Sequence, residues 1–256
     1  MPHLLRYFAS IAPVSVAFVA LLGTSACSNA NPGNTSDAGA SGNDGGGPVI
    51  VPGGQDGGPD SGTTDKPMPA GYTQVPYLSA TPVYKFTQAE QVIDASKDYI
   101  AVLDTEAGKV VIDLYETDTP ITVNSFVFLS LHHFYEQVAF HRVLENFMAQ
   151  TGDPNSVSGK PSTWGKGNPG YFFGTEFKPQ LNFDGPGILG MARTNDPNSN
   201  GSQFFITFVA YPSLNQEYTV WGKVTEGLQS IDKIAKGEPP ATPTRILEVR
   251  IGAKAK

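Results

Sequence analysis

The 256 residues carry 17 Lys and Arg against 24 Asp and Glu, a net charge of −7, and after position 70 the balance stays acidic, 15 against 19. Phosphate binding needs clustered Lys and Arg, so DNA and RNA are excluded as partners. A single cysteine, Cys27, permits no disulfide within the chain, and the fold must be held by burial alone. The 28 Gly and 21 Pro are spread unevenly, which leaves room for one globular domain.

Residues 1–26 have the layout of a signal peptide: His3 and Arg6, an apolar run from Ile11 to Leu22, then the small residues Gly23, Thr24, Ser25 and Ala26. The run is too short to span a bilayer comfortably. Leu22-Gly-Thr-Ser-Ala-Cys27 resembles a bacterial lipoprotein box, with Thr24 where such boxes usually carry an aliphatic residue. That resemblance implies cleavage before Cys27, a lipid on its thiol and anchoring in a membrane. Thr24-Ser-Ala26 also suits ordinary signal peptidase, which leaves a soluble periplasmic or secreted protein. Ser28 supplies no acidic signal for inner-membrane retention, which favours the outer membrane. Residues 27–70 are Gly, Asn, Asp, Ser and Pro with almost no large apolar residue, a composition that cannot offset the entropy of ordering and reads as a linker. As a Gly-rich coil of ~40 residues it spans on the order of 35 Å. Residues 71–98 read as an extension that wraps the domain behind it.

The domain itself, residues 99–253, opens with Tyr99–Glu106 and Val110–Glu116, two alternating runs around Ala107-Gly108-Lys109 that predict a hairpin. Thr119 is placed to cap a helix starting at Pro120, along which Val123, Phe126, Val127, Ser130, Leu131 and Phe134 recur at helical spacing. Short strand-like runs follow between Gly and Pro turns: Val138–Val143, Phe147–Gln150, Gly187–Ala192, Gln203–Thr207 and Thr219–Val224. A second helix is predicted over Glu226–Lys236, with Thr225 as its cap and Gly237 as its stop, before a closing strand at Arg245–Ile251. Many short strands and two isolated helices predict a mainly β fold, a closed barrel capped by the helices, because closure removes unpaired edges.

Three ordered blocks carry a resemblance. Phe140-His-Arg-Val-Leu-Glu-Asn-Phe-Met-Ala-Gln-Thr-Gly-Asp153 is similar to the signature of cyclophilins, an FHR element followed by FM-x-Q and a Gly-Asp turn. Gly187-Ile-Leu-Gly-Met-Ala192 with Asn198-Ser-Asn-Gly-Ser-Gln-Phe-Phe-Ile206 resembles their GILxMA and NGSQFFI elements, and Tyr218-Thr-Val-Trp-Gly-Lys-Val224 resembles their VFGKV strand. The resemblance runs from Tyr99 to Gly252. It implies a closed eight-stranded antiparallel barrel with a helix over each end, in agreement with the strand pattern, and a peptidyl-prolyl cis/trans isomerase without cofactor or metal. Carried over by position, it makes Arg142 the catalytic arginine. Phe147, Met148, Phe205 and Leu214 would wall the proline pocket, with Gln150, Ala192 and Gln203 along the peptide groove and Tyr218 at its rim.

The chemistry suits these residue types. An X-Pro bond turns slowly because amide resonance sets a barrier of ~18–20 kcal/mol, and no covalent step is needed. Twisting makes the proline nitrogen pyramidal and basic, so a hydrogen bond from an arginine that never titrates favours the twisted amide over the planar one. The plainer roles are a salt bridge for Arg142 and barrel core for the four apolar residues. His141 reads as a structural, hydrogen-bonded histidine, since no proton moves.

The pattern also departs from the family. Ser213 stands where eukaryotic cyclophilins carry a Trp, Tyr218 replaces a His, Thr151 replaces a Gly, and Arg193–Pro197 is one residue longer. Glu217 and Asp196 are expected to make the rim acidic. No G-x-S-x-G elbow supports a hydrolase, and His132-His133 lacks a second ligand pair for a metal. The reading is a folding catalyst for proline-containing exported chains in a bacterial cell envelope, monomeric, with a non-catalytic proline-binding or chaperone module as the alternative.

Overall fold

A computed structural model describes residues 66–256; the expected signal peptide, Cys27 and the linker up to residue 65 lie outside the described residues. Nine strands form one antiparallel sheet: β1 (Thr73–Gln74), β2 (Lys97–Thr105), β3 (Gly108–Leu114), β4 (Arg142–Leu144), β5 (Met148–Thr151), β6 (Ile188–Met191), β7 (Phe204–Thr207), β8 (Val220–Glu226) and β9 (Ile246–Ala255). Their order across the sheet is β1-β9-β2-β3-β8-β6-β7-β5-β4. Two helices, α1 (Pro120–Leu131) and the five-residue α2 (Leu228–Asp232), complete it. No described helix is long and apolar enough to cross a membrane.

The alternation along β2 separates two apolar layers. Tyr99, Ala101 and Leu103 enter the main core with Val110 and Ile112 of β3, whereas Ile100 and Val102 turn to the other face and pack with Val111, Met68 and Tyr72. The main core is aromatic at its centre, where the Phe126 and Phe204 rings lie 4.7 and 5.4 Å from Trp221.

The closed eight-stranded barrel is corrected on two counts. A ninth strand, β1, pairs Thr73 with Ala253 and Gln74 with Gly252; two residues between Gly71 and Pro76 are too few to show a period. The sheet also has two ends, β1 and β4, with no continuous ladder between β4 and β9. That gap is crossed by isolated bridges, Ala139 with Arg245 and Val143 with Gly237. The segment that would have to extend the ladder contains Pro239, Pro240 and Pro243, which have no N–H to donate.

Both helices differ from expectation at their starts. Thr119 precedes α1, but its hydroxyl donates back to Tyr115 O at 3.2 Å. The free N–H groups of Ile121 and Thr122 instead donate to the Glu176 carboxylate at 3.1 and 2.8 Å, and the Thr122 hydroxyl joins them at 2.7 Å. The second helix begins two residues late, because Glu226 stays in β8 and Gly227, at φ +92°, turns the chain into α2. α1 is buried from Thr122 to Leu131, and its outer side is covered by residues 78–93. Leu78 N and Val83 N donate to Leu131 O and His132 O at 2.8 and 3.0 Å. Asn124 accepts from Val92 N and Ile93 N and donates to Glu90 O, while Phe86 stands edge-on to Phe128. An all-round apolar helix requires such a cover.

Candidate peptide-binding groove

Strand parity builds the groove. On β4 and β5, Val143 and Ala149 face the main core, so their neighbours Arg142, Leu144, Met148 and Gln150 face the opposite side. Arg142 lies opposite Gln150, and Gln150 opposite Phe205 on β7, which sets these three side by side on one surface. Here a second apolar cluster collects Met148, Phe205 and Leu214 with Phe183, Ile188 and Val220, flanked by the partly buried Phe147, Ala192 and Tyr218. Met148, Phe205 and Leu214 are 2%, 5% and 9% exposed and make a floor, while Phe147, Ala192 and Tyr218 remain half-buried at its edge.

The Phe205 ring reaches the floor because Gly190 has no side chain: a Cβ there would stand 2.2 Å from Phe205 Cζ. Tyr218 meets that ring edge-on at 5.5 Å. Gln150 Nε2 donates to Gln203 Oε1 at 3.0 Å, and Gln203 Nε2 donates to Gly167 O at 2.9 Å, so the two amides are fixed as a pair. Arg142 lies with its guanidinium carbon 6.0 Å from the centre of the Phe147 ring. Its Nε donates to Glu238 Oε1 at 2.6 Å.

Three contributors escaped the sequence reading. Phe183 is fully buried and stacks on Phe205 at 5.6 Å. Tyr211, 38% exposed, lays its ring 4.5 Å from Phe147, close to where Ser213 leaves room. Glu238 is the third. All three sit in stretches rich in Gly and Pro, where no period singles out a residue; aromatic residues inside such loops were the available signal for the first two.

The rim is less acidic than expected. Arg193 pairs with Glu217 Oε2 at 3.4 Å, donates through Nε to Glu217 O at 2.9 Å and stands 5.1 Å over the Tyr218 ring. Asp196 stays exposed and accepts from Asn198 N at 2.8 Å within its own turn. His141, next to Arg142, is buried, but neither ring nitrogen has the expected hydrogen-bond partner, and burial pushes its imidazole below the ordinary value against the opposing pull of Asp153. No cluster of metal-ligating side chains occurs among the described residues. The arrangement is an apolar floor and aromatic wall, edged by the Arg142 guanidinium and two amides.

The family described as cyclophilin type peptidyl-prolyl cis-trans isomerase/CLD matches residues 100–251. Peptidyl-prolyl cis-trans isomerase-like 3 of Gallus gallus is 42% identical over 135 residues, covering 52% of this chain and 80% of the relative. Peptidyl-prolyl cis-trans isomerase-like 1 of Aspergillus niger is 37% identical over 154 residues, covering 58% and 91%. A solved cyclophilin type peptidyl-prolyl cis-trans isomerase of Cryptosporidium parvum superposes with a TM-score of 0.55 at 31% identity, over 60% of this chain and 97% of that one. A second structure of it, in the presence of the dipeptide Ala-Pro, gives 0.53 at 31% identity, over 59% and 96%. The chain belongs to the cyclophilin-type peptidyl-prolyl cis-trans isomerase family.

Proposed function

We propose that the domain catalyses cis/trans rotation of X-Pro bonds, with Arg142 as the catalytic residue. The observation that carries this is the placement of Arg142, Gln150 and Phe205 as lateral neighbours on one face of the sheet, over the floor of Met148 and Leu214. A proline ring set on that floor brings its nitrogen toward the guanidinium. Nε is already engaged by Glu238, so the Nη groups are the ones free to turn toward the substrate. A donor aimed at the pyramidal nitrogen is stronger in the twisted state than in the planar one, which is the condition for acceleration. The Ala-Pro dipeptide named with the Cryptosporidium parvum relative supports the same ligand class here.

Rotation of a short Ala-Pro peptide, followed with the parent and with Arg142→Ala, tests the reading. The parent is expected to accelerate it, and loss of the one guanidinium is expected to lower kcat/KM about 100-fold or more. A folded parent without acceleration would leave a non-catalytic proline-binding module as the better account.

The site of action rests on the first 27 residues. The signal-peptide layout and the box ending at Cys27 support export and a lipid anchor, with the isomerase held by its linker in the bacterial cell envelope, on the outer membrane, where proline isomerisation delays folding and no energy source is needed. Metabolic labelling with an alkynyl fatty acid checks it: label is expected on the parent and lost in Cys27→Ala, which should move from the membrane to the soluble fraction. Label-free parent protein would point to ordinary cleavage instead.

A further inference from the structure

We propose that Glu238 is a positioning residue for Arg142, holding the guanidinium by its Nε so that both Nη groups are presented to the prolyl nitrogen. The inference rests on the isomerase reading and adds to it a residue that none of the three motif blocks contains.

The backbone beside Arg142 is set for this purpose. Val143 N donates to Gly237 O at 2.8 Å, and Gly237 N donates to Val143 O at 2.9 Å, so the residue before Glu238 is pinned to the residue after Arg142. Gly237 sits at φ +146°, and a Cβ on it would stand 2.6 Å from Pro240 Cα. The chain therefore folds back tightly at this corner, and the rings of Pro239 and Pro240 stiffen the backbone on its far side. Glu238 is delivered to one place, and its carboxylate meets Arg142 Nε at 2.6 Å.

The chemistry comes from the shape of the fork. A guanidinium is planar, so an acceptor on Nε fixes the plane in which both Nη groups lie. Phe147 flanks the same group at 6.0 Å, and Gln150 faces it across the strand pair. An arginine without the anchor must lose rotamer freedom on each encounter with substrate. The pair is open to water, with side chains 27% and 57% exposed, so its removal should cost little stability.

Three variants of the full chain separate reach from charge. Glu238→Ala is expected to lower kcat about tenfold with KM little changed. Glu238→Gln keeps the acceptor and should retain most of kcat, whereas Glu238→Asp keeps the charge, loses the reach and should behave like Ala. The Arg142 Nε–H proton, followed by NMR, should be protected from exchange in the parent and in Glu238→Gln and unprotected in Glu238→Ala. An active parent whose Glu238→Ala variant turns over unchanged, or a Gln variant as slow as Ala while Asp stays fast, would overturn the positioning role alone. A parent with no activity would overturn the isomerase reading and this one with it.

Discussion

Arg142 and His141 are adjacent in the chain and opposite in character. Arg142 stands partly exposed at the groove, while His141 is 5% exposed and held toward its neutral form by burial. The sign of the resulting pH dependence is fixed. An unfolded histidine takes up its proton near pH 6.5, and the folded His141 does so only at lower pH. The unfolded chain therefore binds more protons below about pH 6.5, and this share of stability, fully present above that value, falls away as pH drops toward the folded pKa. Urea midpoints at about pH 7.5 and 5.5 should differ more for the parent than for His141→Gln. Equal differences would mean that His141 titrates alike in both states. At this scale the sequence was informative where motifs lie: Arg142, Phe147, Met148, Gln150, Ala192, Gln203, Phe205, Leu214 and Tyr218 converge on one surface. It was silent on Glu238 because the contact joins residues 96 positions apart, and a glutamate in a Pro-rich turn reads as a solvated charge.

At the scale of elements, the first hairpin was readable because its apolar residues alternate, the later strands because Gly and Pro turns bound them, and α1 because Pro120 opens it; the helix caps were not. Thr119 has the residue type of a cap, yet its hydroxyl turns back to Tyr115. The acceptor for α1 comes from Glu176, whose own backbone N–H is held by Thr219 Oγ1 at 2.9 Å. A carboxylate taking three hydrogen bonds at a helix start is favoured by the dipole as well. Glu176→Ala should destabilise the domain by about 1–2 kcal/mol, while Thr119→Ala should cost less through the cap than a true capping threonine does. Chemical denaturation of both variants checks this, and a larger loss for Thr119→Ala would reverse the assignment. The late start of α2 has a similar origin: Glu226 and Thr225 have ordinary helix-start chemistry, but β8 pairs through Glu226 with Val111. Sheet pairing overrode a local preference that was correctly read.

At the scale of the whole molecule, the stretch from Lys66 to Ile93 belongs to the domain's architecture. Arg250, 5% exposed, donates to Lys66 O at 2.7 Å and to Asp104 at 3.0 Å, and Lys66 bridges Asp104 and Glu248. Further on, Tyr77 donates to Glu248 at 3.1 Å, and residues 78–93 cover α1. A chain beginning at Lys97 would expose Phe128, Ile100 and Val102, leave Asn124 without its partners and take Lys66 O from Arg250. It should lose several kcal/mol and bind ANS, or fail to fold. A shortened chain with the parent's Tm would show that the cover contributes nothing. The sequence marked residues 71–98 as an extension that wraps the domain but named none of its contacts, because its side chains make sense against α1 and β9, not against each other.

The pairing of β1 with β9 joins Thr73 to Ala253, residues from opposite ends of the domain. A chain emerging from a ribosome delivers Thr73 long before Ala253. Until then the outer face of β2 has neither its neighbouring strand nor the cover that Arg250 pins in place. The domain thus cannot complete its fold piece by piece from its leading end: the layer outside β2 closes only once β9 has joined the sheet.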